Sequence, residues 1–250
     1  MIQVLISGCS GRMGGVLTQL ISREQDIEVV GGIDPHPSER DYPIFPTLAQ
    51  CTVKGDVIID FSAPGTTEEL IQEAMKQKTP VVIATTGLSE SDNEMIYQAS
   101  RSIALFRSGN MSLGINLVQN LISQAVKVLG SGFDVEIIEK HHRMKKDSPS
   151  GTALMLADSV KEAREDEVHY TYGREGADTL RNGDEIGIHA VRGGTIVGDH
   201  EILFAGEDEL ISIRHQAFSR QVFATGAIAA ARFLYTRSTG LYSMKDIIVS

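Results

Sequence analysis

The residue types best suited to chemistry crowd into one stretch, Lys140-His141-His142-Arg143-Met144-Lys145-Lys146, which runs through Asp147-Ser148-Pro149 to Ser150-Gly151-Thr152. In a chain with a formal net charge of -10, such a basic island is either a solvated face or a pocket for an anion. Cationic Lys145, the imidazole of His142 and the amides of Gly151 and Thr152 at a helix start are suited to holding carboxylates. Histidine and lysine also serve as general acids near neutral pH, because neighbouring cations disfavour an added charge and lower their pKa values. The residues just before the island, Val135-Glu136-Ile137-Ile138-Glu139, read as a strand. Neighbours on a strand point to opposite faces, so His141 and His142 cannot share one metal ion if the strand continues. No HExxH or similar ligand spacing is present, and no metal is expected.

A second constellation opens the chain. Gly8-Cys9-Ser10-Gly11-Arg12-Met13-Gly14 follows an apolar strand and precedes a helix, in the spacing GxxGxxG. Glycines there let the backbone turn sharply and let a pyrophosphate approach the amides of the helix N-terminus. Asp34 ends the next strand, where a carboxylate accepts hydrogen bonds from ribose hydroxyls. The same carboxylate repels the extra phosphate of NADP, whereas His36 and Arg40 lie close enough in sequence to help bind it. NADH is therefore the expected cofactor, with some use of NADPH. Ala84-Thr85-Thr86-Gly87 and Ser108-Gly109-Asn110-Met111 fall at strand exits, where this kind of sheet holds ligands.

These residues need elements to position them. Up to about residue 110 short apolar runs alternate with helical segments: strands at Gln3–Ser7, Ile27–Asp34, Asp56–Phe61, Pro80–Thr85 and Ile103–Phe106, with helices between them. That alternation predicts parallel pairing through right-handed crossovers, a doubly wound Rossmann-type α/β sheet. Next comes a long helix over Ser112–Leu129, with Leu113, Leu117, Leu121 and Ala125 expected on its buried face. A strand at Phe133–Lys140, a helix near Ala153–Ala163 and a strand-rich section from Asp184 to Arg220 make a second, α+β domain with a mixed sheet. Gln221–Tyr235 reads as the final helix. The expected division is 1–111 with 222–250 for the nucleotide, and 112–221 for substrate and oligomer contacts.

Composition narrows the class. Hydrophobic residues make up 42% and charged residues 22% of 250, ordinary for a globular protein. A net charge of -10 disfavours nucleic acid as a partner, because nucleic-acid binding needs a basic face. No apolar run is long enough to span a bilayer, and the start Met1-Ile2-Gln3-Val4 carries no leader pattern, so a cytoplasmic protein is expected. The two cysteines, Cys9 and Cys51, have no CxxC neighbour and suggest neither a disulfide framework nor a thiolate metal site.

Taken together, these motifs resemble the dihydrodipicolinate reductase family. The stretches that carry the resemblance are Gly8–Gly14, Ala84–Gly87, Asn110–Asn116, Glu139–Ala153, Val191–His200 and Gly240–Asp246, in the family's order from end to end. The His-His-Arg-x-Lys run leading to Ser-Gly-Thr-Ala is the specific one. The resemblance implies NAD(P)H-dependent reduction of a small cyclic dicarboxylate in lysine and diaminopimelate biosynthesis. It implies His141 as proton donor and acceptor, Lys145 as a second proton donor, and His142, Gly151 and Thr152 on the substrate carboxylates. It assigns the cofactor to Gly8, Cys9, Ser10, Gly11, Arg12, Met13, Asp34, Ala84, Thr85, Thr86, Ser108, Gly109, Asn110 and Met111, and it implies a homotetramer. Gly15 stands where a basic residue is common in the family, and Ala84 where glycine is common.

Other two-domain dehydrogenases remain rivals on the residues alone, as does an NADH-binding sensor. A semialdehyde-type dehydrogenase needs a nucleophilic cysteine between its domains, and Cys9 and Cys51 are badly placed for that. A sensor has no use for His141 and Lys145 as acids.

Overall fold

The computed structural model describes residues 1–249, which divide into two compact units: Met1–Leu113 with the chain from Gln221 on, and Gly114–Arg220. In the first unit the chain runs β1 (Ile2–Ser7), α1 (Arg12–Ile21), β2 (Ile27–Ile33), β3 (Ile44–Phe45), β4 (Val57–Asp60), α2 (Thr67–Gln77), β5 (Val81–Ile83), α3 (Glu90–Ala99) and β6 (Ala104–Arg107). The second unit takes in most of α4 (Leu113–Leu129), then β7 (Asp134–His141), α5 (Gly151–Ala163), β8 (His169–Tyr172), β9 (Glu185–Arg192), β10 (Gly198–Ala205) and β11 (Leu210–Ala217). The first unit is completed by α6 (Gln221–Tyr235), β12 (Gly240–Tyr242) and α7 (Met244–Val249).

The first sheet is parallel throughout, in the order β12-β6-β5-β4-β1-β2-β3. Its central strands are buried on both faces: Val57, Ile58 and Ile59 are inaccessible, as are Val81 and Val82. One layer packs α1 and α6 against the sheet, where Ala224, Ala227 and Ala231 let α6 come close; the other packs α2 and α3. The chain reverses its direction of winding at β1, which pairs with β4 on one side and β2 on the other. In such a sheet the carboxyl ends of the strands at the reversal form the ligand crevice.

The second sheet is mixed, in the order β11-β10-β7-β9-β8. β7 is antiparallel to β10 and parallel to β9. Residues of α4 and α5 cover one face of it, with Val135, Ile137, Ile186, Ile188, Ile202 and Phe204 inside. Among the described residues no helix is long and apolar enough to cross a membrane.

Three expectations need correction. The first sheet has two more strands, β3 and β12, each too short to show a hydrophobic period of its own. For the same reason Gln221–Tyr235 is not the final helix, since β12 and α7 follow it. In α4 the buried row is Ile115, Val118, Ile122 and Val126, while Leu117 and Leu121 are 49% and 40% exposed. Strict spacing by four drifts about 40° per step around a helix, whereas alternating steps of three and four stay on one face.

Candidate active site

In the first unit β1 runs straight into the glycine turn. Gly8 has φ 76°, a left-handed conformation, and a Cβ there would lie 2.7 Å from the Phe61 carbonyl oxygen beyond β4. Gly14, in the first turns of α1, lies so close beneath the loop that a Cβ would sit 2.5 Å from Gly8 O. Gly11 caps α1 without a side chain, and no acidic residue stands in its first turn. The turn therefore presents helix-start amides to an anion from a cradle that side chains would fill. That cradle, at the winding reversal of the sheet, fits a dinucleotide.

Asp34 lies just beyond β2 and already clasps the loop. Its carboxylate accepts hydrogen bonds from the amides of Ser10 at 3.1 Å and His36 at 2.9 Å. The guanidinium of Arg40 donates to the Cys9 carbonyl at 3.0 Å and lies over Gly15, within 3.5 Å of where a Cβ would be. Cys9 faces the other way: its thiol is buried in the core under Gly32, and burial pushes its pKa up. Cys9 therefore has only its backbone to offer a ligand. Ser10, Gly11, Arg12 and Met13 lie at or near the surface of the turn.

The other two strand exits are less uniform than their sequences suggest. Ala84 and Thr85 are buried, and Thr85 Oγ1 donates to the buried Asp60 carboxylate at 2.7 Å. Thr86 and Gly87 are exposed. After β6, Ser108 and Asn110 are half-buried and Gly109 exposed; the Asn110 side chain accepts from the Ser112 amide at 2.8 Å, and Met111 is part of the core.

In the second unit the alternation of β7 sets the site. Val135, Ile137, Glu139 and His141 share the buried face, and Lys140 takes the opposite one, where it pairs with Asp199 at 3.6 Å. The Glu139 carboxylate is completely buried. Its Oε1 accepts from the Ser150 amide at 2.9 Å and from Arg192 at 2.7 Å, and its Oε2 meets Arg192 at 2.7 Å and His141 Nδ1 at 2.6 Å. Burial pushes this carboxyl up, but hydrogen bonds from Arg192, His141 and Ser150 outweigh it and hold the group below the usual carboxylate range. His141 moves down as well: burial, together with the nearby cations Lys145 and Arg192, outweighs the pull of Glu139. That shift favours the neutral imidazole, and Nδ1 is the ring atom that faces Glu139.

Ser150 caps α5, accepting from the Ala153 amide at 3.1 Å, and its hydroxyl also meets His200 Nε2 at 3.1 Å. The His200 ring packs edge-on against His141 with centroids 5.1 Å apart; burial drives its pKa down to about 4. Gly151 and Thr152 form the first turn of α5, with no acidic residue there, and a Cβ on Gly151 would meet nothing within 4 Å. Lys145 is partly buried and reaches Asp147 at 2.9 Å. His142 is half-buried, while Arg143 and Lys146 are exposed. The basic island is therefore split: Lys140 lies on the far face of the sheet, and Arg143 and Lys146 face solvent.

Residues 2–111 match the family described as Dihydrodipicolinate reductase, N-terminus, and residues 114–248 match Dihydrodipicolinate reductase, C-terminus. This chain belongs to the dihydrodipicolinate reductase family. A 4-hydroxy-tetrahydrodipicolinate reductase of Caldanaerobacter subterraneus subsp. tengcongensis is 50% identical over 248 residues, 99% of this chain and 98% of the relative. One from Clostridium botulinum is 48% identical over 249 residues, again 99% and 98% of the two chains. Among solved structures, a dipicolinate-bound dihydrodipicolinate reductase from Paenisporosarcina sp. TG-14 superposes with a TM-score of 0.83 at 28% identity, covering 99% of both chains. A probable dehydrogenase from Thermotoga maritima shares the fold at a TM-score of 0.65 and 13% identity, covering 98% of this chain and 92% of its own.

As a dihydrodipicolinate reductase family member, the chain holds an oxidoreductase framework whose polar cluster is wider than its conspicuous motif. Reading the residues in order did not single out Glu139, Ser150, Arg192 or His200 as a connected group. Sheet register joins them: His141 pairs with Arg192 across β7 and β9, and Glu139 with His200 across β7 and β10. The parity of β7 alone was enough to place Glu139 beside His141. Arg192 lies 53 positions from its partner, within the Val191–His200 stretch, and the order of residues alone does not pair the two.

Proposed function

We propose that this chain reduces 4-hydroxy-tetrahydrodipicolinate to tetrahydrodipicolinate with a nicotinamide cofactor, in lysine and diaminopimelate biosynthesis, and that His141 and Lys145 manage the protons. The observation that carries the chemistry is His141 hydrogen-bonded through Nδ1 to a buried carboxylate, with a lysine and a helix start close by in sequence. When bound, the reduced nicotinamide supplies a hydride to a ring carbon of the conjugated imine. Once water has left the 4-hydroxy ring and hydride has added, the adjacent carbon takes up a proton; Lys145 is its donor, and His141, whose Nε2 must first take up a proton, passes one on. His142 and the amides of Gly151 and Thr152 grip the two carboxylates of the ring, because helix-start amides favour anions. Dipicolinate, the ligand of the Paenisporosarcina reductase, is such a dicarboxylate.

The proposed cofactor set is the turn from Gly8 to Met13, Asp34, Ala84 to Thr86 and Ser108 to Met111. Within it Cys9 acts by its backbone, and Thr85 acts by ordering the strand exit through Asp60. NADH is preferred because the Asp34 carboxylate repels a ribose phosphate, and Arg40 and His36 leave NADPH usable. Two further parts of the reading are a cytoplasmic location and a homotetramer formed through the second-unit sheets. What supports the tetramer is the sheet face away from α4 and α5, which keeps Ile138 and Leu203 half-buried and Val191 and Leu210 exposed.

The test is a coupled assay with synthase-generated substrate, run with each cofactor in turn. Oxidation of NADH that depends on the substrate is expected; NADH absorbance that stays flat rejects the reductase. An NADPH efficiency about ten times that of NADH rejects the cofactor preference. Sedimentation equilibrium checks the tetramer, and a monomer at micromolar concentration rejects it.

A further inference from the structure

Glu139 has no part in the reaction as proposed, yet its buried carboxylate is held by donors on both oxygens. An anion is tolerated at complete burial only when it is paired and hydrogen-bonded. Two nitrogens of Arg192, the Ser150 amide and His141 Nδ1 divide themselves between its two oxygens, all within 2.9 Å. Arg192 is itself fixed by the carbonyl of Asp147 at 2.8 Å. A carboxylate so supplied with donors accepts only. At 2.6 Å from it, Nδ1 of His141 must therefore carry a hydrogen, since two acceptors do not approach so closely.

We infer that Glu139, clamped by Arg192, is a positioning residue that locks His141 in the tautomer protonated at Nδ1, so that Nε2 is the only ring atom that takes up and releases a proton. This rests on the reading of His141 as a proton carrier. The same contacts fix the ring plane: Glu139 holds one edge, His200 packs edge-on, and Gly198 leaves room by Nε2, where a Cβ would come within 3.2 Å. The charged and titratable groups facing the ring are Glu139 from its own strand, Arg192 from β9, His200 from β10 and Lys145 from the following loop. Only Glu139 favours the imidazolium, so its removal withdraws both the orientation and the stabilisation.

The first measurement needs no variant of Glu139. In histidine-labelled wild-type protein, two-bond nitrogen–proton correlation spectra report the tautomer of His141, assigned by the signals lost in His141→Ala. A neutral ring protonated at Nδ1 is expected; protonation at Nε2 overturns the inference even if no Glu139 variant folds. In Glu139→Gln an amide N–H faces Nδ1, so the proton is expected to move to Nε2. There kcat falls about 100-fold or more, while KM and the affinities for NADH and dipicolinate stay within about threefold. Glu139→Asp recovers part of kcat. A folded Glu139→Gln protein with the wild-type tautomer and wild-type kcat refutes the role. Wild-type kcat in His141→Ala instead defeats the proton-carrier reading, and the tautomer spectra still decide the positioning claim.

Discussion

Lys145 and His141 are held in different ways, and this separates their expected phenotypes. The tie of Lys145 to a mostly exposed Asp147 is a weak surface pair that the ammonium can leave. Lys145→Ala should lower kcat by about 10²–10⁴-fold with NADH affinity unchanged, because the lysine acts on substrate and transition state rather than on cofactor. Steady-state kinetics beside a fluorescence titration of NADH checks this, and wild-type turnover would end the proposed role. His141→Ala should move the same way but less, since water can enter as an acid; a loss confined to NADH affinity would contradict that. At this scale the sequence was informative where side-chain type is rare and clustered, as at His141 and Lys145. It was mute where a common residue gains meaning from a partner on another strand, as Glu139 does from Arg192.

Two elements invite measurement of packing. Gly14→Ala drives a methyl group into the backbone of Gly8 and Cys9, and should cost about 1–3 kcal/mol in urea unfolding together with a loss of NADH affinity. A variant as stable as wild type would mean that the turn yields more than its close packing suggests. In α4, Ile122→Ala removes a fully buried side chain and should cost about 2–5 kcal/mol, whereas Leu117→Gln should cost about 0.5 kcal/mol or less. The reverse ranking would restore the leucine row as the packed face. The sequence misled here because leucine looks like core wherever it stands, and only the accumulated rotation of the helix tells Leu117 from Val118. The βα alternation of the first unit was plain because each parallel strand is a continuous apolar run between turn residues. β3 and β12 take their identity from the strands they pair with.

For the whole molecule, acid is the revealing perturbant. His200 is neutral in the fold, with a pKa of about 4 against an ordinary 6.5. Between those values the unfolded chain binds a proton that the folded one refuses. Stability is therefore full above about pH 6.5 and falls as pH drops toward 4, by roughly 3 kcal/mol in all. The depressed carboxyls of Glu136 and Glu139 add losses of the same sign at lower pH, as each is protonated through its folded-state pKa. Urea unfolding at pH 7.5 and pH 4.5 measures the slope, and His200→Asn should flatten it; an unchanged slope would place the acid sensitivity elsewhere.

The two-residue rhythm of β7 also limits how the gene can change. Adding or deleting one codon ahead of Glu139 would trade the places of the strand's inward and outward side chains, bringing Lys140 to the buried face and turning the carboxylate outward. The loop from Gly173 to Asp184 has no strand alternation to keep, and is tied to the sheet through Arg174 and Arg181. Sequences gathered from many bacteria should therefore differ in length between β8 and β9, while the eight codons of β7 keep their number.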